Sequence, residues 1–232
     1  MYELDFNQRQ QLLELGWVVI PGVVPKLMVR KVLRAINASI GTGMDTDKLE
    51  TYHNQSFCPE LCNHPLLIDL FMATPAMSLT ESVIGDGKVD RPRTAQIGLR
   101  FPVQWREPSA LSPHIDGFYT PQNGVRKGRI ASFTALAGFY LNDVEEDWAG
   151  NFTVWSGTHQ MFGEYFKSHP PDPELKDGIP PIDLPKPLQV KAKAGDMILC
   201  HYLLAHAAAS NLSPWVRYAV FFRLKPRKHD RL

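Results

Sequence analysis

The chain has 232 residues, 44% of them hydrophobic, and a formal net charge of +1. That length suits one domain with a full core, and the balanced charge gives no global field for nucleic acid or an anionic membrane. There is no run of about 18 apolar residues, MYELDFNQRQ lacks the apolar stretch of a signal peptide, and three cysteines are too few for a disulfide framework, so the expectation is a cytoplasmic protein with neither a membrane nor a nucleic-acid partner.

The first ~90 residues read as helical with one strand. FNQRQQLLELG has helical spacing and closes at Gly16, a suitable residue just past a helix end. WVVIPG reads as a short buried strand. Pro25 stands where a first helical residue belongs, before KLMVRKVLRAI. LLIDLFMATPAMSLTESVIG is helical and interrupted by Pro75. From Thr94 the texture changes to short stretches rich in β-branched and aromatic residues: TAQIGLRF, IASFTALAGFYL, NFTVW, LQVKA, DMILCHYLL and RYAVFFRL. Strand after strand without intervening helices predicts an antiparallel sandwich or barrel. The Pro-rich stretch from about Phe162 to Pro187 is too rigid for a hairpin and reads as a lid over the site, hinged at Gly163 and Gly178. Basic residues gather near the end (Arg223, Lys225, Arg227, Lys228, Arg231) and read as a solvated tail rather than a phosphate site.

The sharpest local feature is Pro113-His114-Ile115-Asp116-Gly117. In extended chain, residues i and i+2 share a side, so His114 and Asp116 can reach one metal ion. A second imidazole from elsewhere would complete the facial triad of non-haem iron(II) oxygenases, which leaves open coordination positions. His-x-Asp alone is a common tripeptide, and a bare match is usually surface chemistry. Farther on, His201-Tyr202-Leu203-Leu204-Ala205-His206 sets two histidines in an apolar segment, where each needs a partner. Arg217 follows among Val216, Tyr218, Ala219, Val220 and Phe221. A charge in such a strand needs an anion, either a buried carboxylate of the chain or that of a ligand held by the guanidinium fork. Arg217 lies eleven residues after His206, whereas the same step from His201 reaches Leu212, which cannot bind a carboxylate.

These segments, in order, resemble the phytanoyl-CoA dioxygenase family. The resemblance runs from about Phe6 to Leu224 and rests on His-x-Asp, Leu141-Asn142-Asp143 with Gly150 to His159 ending in Gly-Thr-His, the Gly195-Asp196 turn, and the step from His206 to Arg217. It implies a double-stranded β-helix (a jelly roll, cupin-like) over residues 94–224, supported by a mostly helical 1–93, in one domain of residues 1–232. It implies Fe(2+) held by His114, Asp116 and His206, and 2-oxoglutarate as co-substrate with its distal carboxylate on Arg217 and Gln96 lining its site. The implied activity is a dioxygenase using O2 to hydroxylate or desaturate a small molecule, with release of succinate and CO2; Asp116 argues against halogenation. A non-catalytic metal- and 2-oxoglutarate-binding module of the same fold is the alternative, and a zinc hydrolase on a similar barrel would have no use for Arg217. Two positions depart from the family pattern. Ala208 replaces a hydroxyl residue, and Gly138 a tryptophan; Thr134, on the same face as Gly138 by period two, is the substitute hydroxyl. No motif selects among acyl thioesters, amino acids and natural-product intermediates as substrate.

His53, Cys58, Cys62 and His64 form a loose cluster without usual zinc spacing. His159 reads as structural. Phe118, Tyr119, Trp155 and Phe162 are expected near the cavity mouth.

Overall fold

The computed structural model describes residues 2–103, 107–121, 123–169, 175 and 178–227. Helix α1 (Phe6–Leu15) opens with a capping box: the Asp5 side chain accepts from the Gln8 N–H at 2.8 Å, and the Gln8 side chain accepts from the Asp5 N–H at 3.0 Å. It ends at Gly16, left-handed at φ 82°, where a Cβ would lie 2.5 Å from the His159 ring. Both the dihedral and the space demand glycine. Gly16→Ala is expected to destabilise the fold by about 2 kcal/mol, read as a lower urea midpoint with an unchanged m-value. A midpoint equal to that of the parent chain would show that the helix end tolerates a side chain.

Strand β1 (Trp17–Ile20) leads to α2 (Lys26–Gly41), α3 (Leu49–Asn54), α4 (Pro65–Met72) and α5 (Ala76–Ile84). Pro25 caps α2 from outside rather than starting it, because its extended ψ of 141° is not helical. The sheet strands follow: β2 (Gln96–Arg100), β3 (Ala135–Tyr140), β4 (Phe152–Val154), β5 (Leu188–Gln189), β6 (Met197–His201), β7 (His206–Ala208) and β8 (Arg217–Leu224). Five form one antiparallel sheet in the order β1-β6-β3-β8-β2, and three form a smaller one, β5-β4-β7. This is the expected jelly-roll arrangement behind N-terminal helices.

Alternation along β8 and β2 explains how the large sheet serves two cores. Val220, Phe222, Leu224, Ile97 and Leu99 face out and pack with Val32, Ile36, Leu67, Leu70 and Phe71 of the helices. Between the sheets, Phe152 and Val154 meet Leu136, Tyr140, Ile198 and Cys200, with Phe221 packed against them. Among the described residues no single helix is long and apolar enough to cross a membrane.

Three expectations change. Residues 158–168 form helix α6 (Thr158–Ser168), so Phe162 is fully buried and Gly163 lies inside a helix rather than at a hinge. Met161, Phe162, Tyr165 and Phe166 fall at helical spacing, so the sequence does carry a helical stripe here, short and overshadowed by the prolines that follow. Pro170, Pro171 and Pro173 lie outside the described residues. Leu175, Ile179, Ile182 and Leu184 pack against a third cluster formed by Ile115, Phe118, Trp155 and Phe162, and the Ile115 N–H donates to the Gly178 carbonyl at 3.0 Å. The described part of the Pro-rich segment is thus a wall braced on the His-x-Asp strand. Finally, Arg223 is not tail. It belongs to β8, and the chain beyond it pairs with an earlier segment through Asp90 N–H to Lys225 carbonyl at 2.8 Å and Arg227 N–H to Lys88 carbonyl at 2.6 Å. Lys228 and Arg231 lie outside the described residues.

Candidate metal centre and its cavity

His114 and His206 are joined as an antiparallel bridge, each N–H donating to the other's carbonyl at 3.0 Å. The His-x-Asp segment therefore continues the small sheet beyond β7. Residues i and i+2 of an extended segment share a side, which brings Asp116 round to both imidazoles. His114 Nε2 lies 3.9 Å from Asp116 Oδ1, and His206 Nε2 lies 3.9 Å from Asp116 Oδ2. One ligand atom from each of the three residues falls within 4.8 Å of the others. Among the described residues this is the one such group of histidine, cysteine and carboxylate side chains.

Its electrostatics suit a cation. His206 Nδ1 is 2.9 Å from the Leu204 carbonyl. A carbonyl only accepts, so Nδ1 donates to it and Nε2 is the nitrogen turned to the cluster. The His206 ring stacks on Phe152 with centroids 5.1 Å apart, which fixes its plane. His114 is half-exposed, but to the cavity, deep in the protein. Burial, with the His206 imidazole beside it, lowers its pKa to about 4, so His114 is neutral at physiological pH. For Asp116 burial works against ionisation, yet the adjacent Arg223 guanidinium and the two imidazoles outweigh it and hold the carboxyl well below the usual carboxylate range. Two imidazoles and one carboxylate, with no fourth protein donor among the described residues, are the set that leaves a divalent transition metal open to other ligands.

The three residues line a cavity of about 1150 Å³. Arg217 lines it too, is only 3% exposed, and donates through Nε to the Gly150 carbonyl at 2.7 Å and through a terminal nitrogen to the Gly98 carbonyl at 3.0 Å. Those bonds lock the fork and leave three of its five N–H donors for something else. Glycines make room for it: a Cβ on Gly150 would lie 3.2 Å from that of Arg217 and 2.8 Å from that of Arg100. Burial, and then the neighbouring Arg100, push Arg217 down to about 9. Among the described residues no carboxylate pairs with it. Of the two partners the sequence leaves open, a carboxylate of the chain is therefore not found among the described residues.

Gln96 lines the cavity, but its Oε1 accepts from Arg223 at 2.9 Å. Thr134 does not line it. Its backbone bonds to Leu224 and Tyr202 just before β3 begins, and Leu136 is the cavity-facing residue of that strand. Thr134 therefore does not replace the hydroxyl that Ala208 lacks. A side chain at Gly138 has no space, because a Cβ would lie 2.7 Å from the Phe221 ring; Phe221 fills the volume a tryptophan would take. Phe118 and Tyr119 line the cavity, while Trp155 and Phe162 are buried behind it. His201 stands apart from the triad, its Nδ1 accepting from the Leu203 N–H at 3.2 Å. His159 Nε2 meets the Leu13 carbonyl at 3.0 Å and so caps the end of α1. The Cys/His cluster does not converge: His64 Nδ1 accepts from Leu66 N–H at the start of α4, and His53 turns to the cavity.

One functional residue escaped sequence reasoning. Arg223 donates through Nε at 3.0 Å and NH2 at 2.9 Å to Asp116 Oδ2. Its only signal in the sequence is that 217 and 223 differ by an even number and so share a strand face.

A sequence profile described as phytanoyl-CoA dioxygenase matches residues 12–219. No curated protein sequence matches the chain significantly. Solved structures share the fold. HygX from Streptomyces hygroscopicus, with nickel and 2-oxoglutarate bound, superposes with a TM-score of 0.65 at 17% identity, covering 98% of this chain and 89% of that one. The non-haem α-ketoglutarate-dependent carbocyclase SnoK of nogalamycin biosynthesis gives 0.62 at 17% identity, over 95% and 83%. The epimerase SnoN, in complex with Fe3+, α-ketoglutarate and nogalamycin RO, gives 0.59 at 18% identity, over 94% and 82%.

Proposed function

The chain belongs to the phytanoyl-CoA dioxygenase family, and from that membership we propose that it is an iron(II)- and 2-oxoglutarate-dependent oxygenase that hydroxylates a small molecule. The observation that carries the proposal is a conjunction in one cavity: an open two-histidine, one-carboxylate set and a buried arginine with no carboxylate of its own. His114, Asp116 and His206 would hold iron(II). Bound iron supplies the one-electron and oxygen chemistry that no side chain offers.

The chain's own residues do the rest. Arg217 orients the co-substrate by its distal carboxylate, with the fork already locked by the Gly98 and Gly150 carbonyls. Leu136, Phe152 and Phe221 give the cavity that holds both arginine and triad an apolar wall against which a substrate can pack. The reaction balances as 2-oxoglutarate, O2 and a substrate C–H giving succinate, CO2 and an alcohol. Hydroxylation fits a complete triad, since Asp116 fills the position that a halide would need. The structural relatives named above include a carbocyclase and an epimerase, which this reading does not carry over.

Anaerobic addition of iron(II) and then 2-oxoglutarate is expected to produce a weak visible charge-transfer band that saturates at one equivalent of each. A protein that binds iron but gives no band with 2-oxoglutarate would overturn the proposal.

A further inference from the structure

Beside the cavity lies a second groove of about 690 Å³ lined by Asp90, Arg91, Pro92, Arg93, Arg223, Lys225 and Arg227. It holds five cations against the single carboxylate of Asp90, in a chain whose net charge is only +1. The concentration is built by the backbone. Val89 and Pro226 are bridge partners, and the bonds from Asp90 to Lys225 and from Arg227 to Lys88 hold two extended segments side by side. At period two, Arg91 and Arg93 share one side of the first segment, and Arg223, Lys225 and Arg227 share one side of the second. Among the described residues Arg91, Arg93, Lys225 and Arg227 form no ion pair. Like charges gathered without counter-charge are mutually destabilising, so the arrangement calls for an anion from outside.

The cavity carries the same bias. Arg100, Arg126, Arg129, Arg217 and Arg223 line it, against Asp116 as the sole carboxylate among the described lining residues. Iron adds positive charge, and 2-oxoglutarate offsets only part of the total. Arg223 belongs to both spaces, so a ligand crossing it would place one end in the groove and the other by the triad. We infer that the primary substrate is a small molecule bearing a phosphate or diphosphate ester, docked on Arg91, Arg93, Lys225 and Arg227, with its reacting carbon reaching past Arg223 into the metal cavity. Guanidinium forks match phosphate oxygens in geometry, and several cations together select a multiply charged group over a single carboxylate. The inference rests on the iron and 2-oxoglutarate reading for what happens at the far end; the groove itself does not.

The test is isothermal titration of the full-length protein, without added metal, with inorganic pyrophosphate. Saturable binding to one site is expected. Arg91→Glu/Arg93→Glu, at exposed positions, should weaken it at least tenfold, with an unchanged melting curve and unchanged anaerobic iron(II)/2-oxoglutarate binding. Arg217→Met should do the reverse. Absence of saturable binding, undiminished binding in the double variant, or equal affinity for sulfate or citrate would each overturn the inference. So would an oligonucleotide that binds more tightly than pyrophosphate can displace, which would make the groove a nucleic-acid surface. If the charge-transfer band is missing while pyrophosphate binding behaves as expected, the oxygenase reading fails and the groove stands; the opposite pattern sinks the groove alone.

Discussion

His206→Ala protein is expected to lose iron(II) binding, while His201→Ala retains most of it. The two histidines lie close in sequence and occupy different worlds. His206 presents Nε2 to Asp116 at 3.9 Å, has its other nitrogen committed to the Leu204 carbonyl, and is flanked by the Phe152 ring and by the His114 ring at 4.5 Å. His201 ends β6 on the large sheet, with its ring 5.2 Å from that of His159, and burial lowers its pKa to about 4. Removing an outer hydrogen-bond partner of a metal ligand costs roughly 10–100-fold in affinity; removing a ligand outright should cost more. Anaerobic equilibrium dialysis with iron(II) reads the difference. Retained binding in His206→Ala with loss in His201→Ala would reassign the ligand.

The reason His206 rather than His201 faces His114 and Asp116 shows what the sequence can and cannot carry. An odd offset on one regular strand would put the two on opposite faces, but they are not on one strand. The chain leaves the large sheet at His201 and turns through Tyr202–Ala205 to enter the small sheet at His206. The step to Arg217 picks out the same histidine because β8 returns to the large sheet opposite it. Period-two patterns made the β strands and the His-x-Asp geometry legible, since they depend only on neighbours. What could not be read depends on distant pairings. Gly150 is an ordinary turn glycine in sequence, and only the fold shows that it clears space for Arg217 and Arg100. Arg223 looks like the start of a basic tail until β8 sets it against Asp116 and Gln96. Thr134 has the right parity for the cavity face, but parity says nothing of where along the strand the cavity ends.

Arg217→Ala is expected to weaken 2-oxoglutarate binding by a few kcal/mol, on the order of 2–5, and to leave iron(II) affinity nearly unchanged. Truncation removes both the charge and the fork, in a place where water competes poorly: the side chain is 3% exposed and held by two carbonyls. Burial and the neighbouring Arg100 already press on its charge, and an incoming carboxylate would relieve that pressure, so the loss should exceed that of a surface ion pair. Arg217→Lys separates charge from geometry. A lysine keeps the charge but cannot hold both carbonyls and a bidentate carboxylate together, so it should recover part of the affinity and not all. Iron affinity is the control, since Arg217 makes its hydrogen bonds to the Gly98 and Gly150 carbonyls and not to His114, Asp116 or His206. The measurement is anaerobic titration of 2-oxoglutarate into the iron-loaded variants. Parental affinity in Arg217→Ala would remove the arginine from co-substrate binding and leave its buried charge to be explained by the protein's own carbonyls alone.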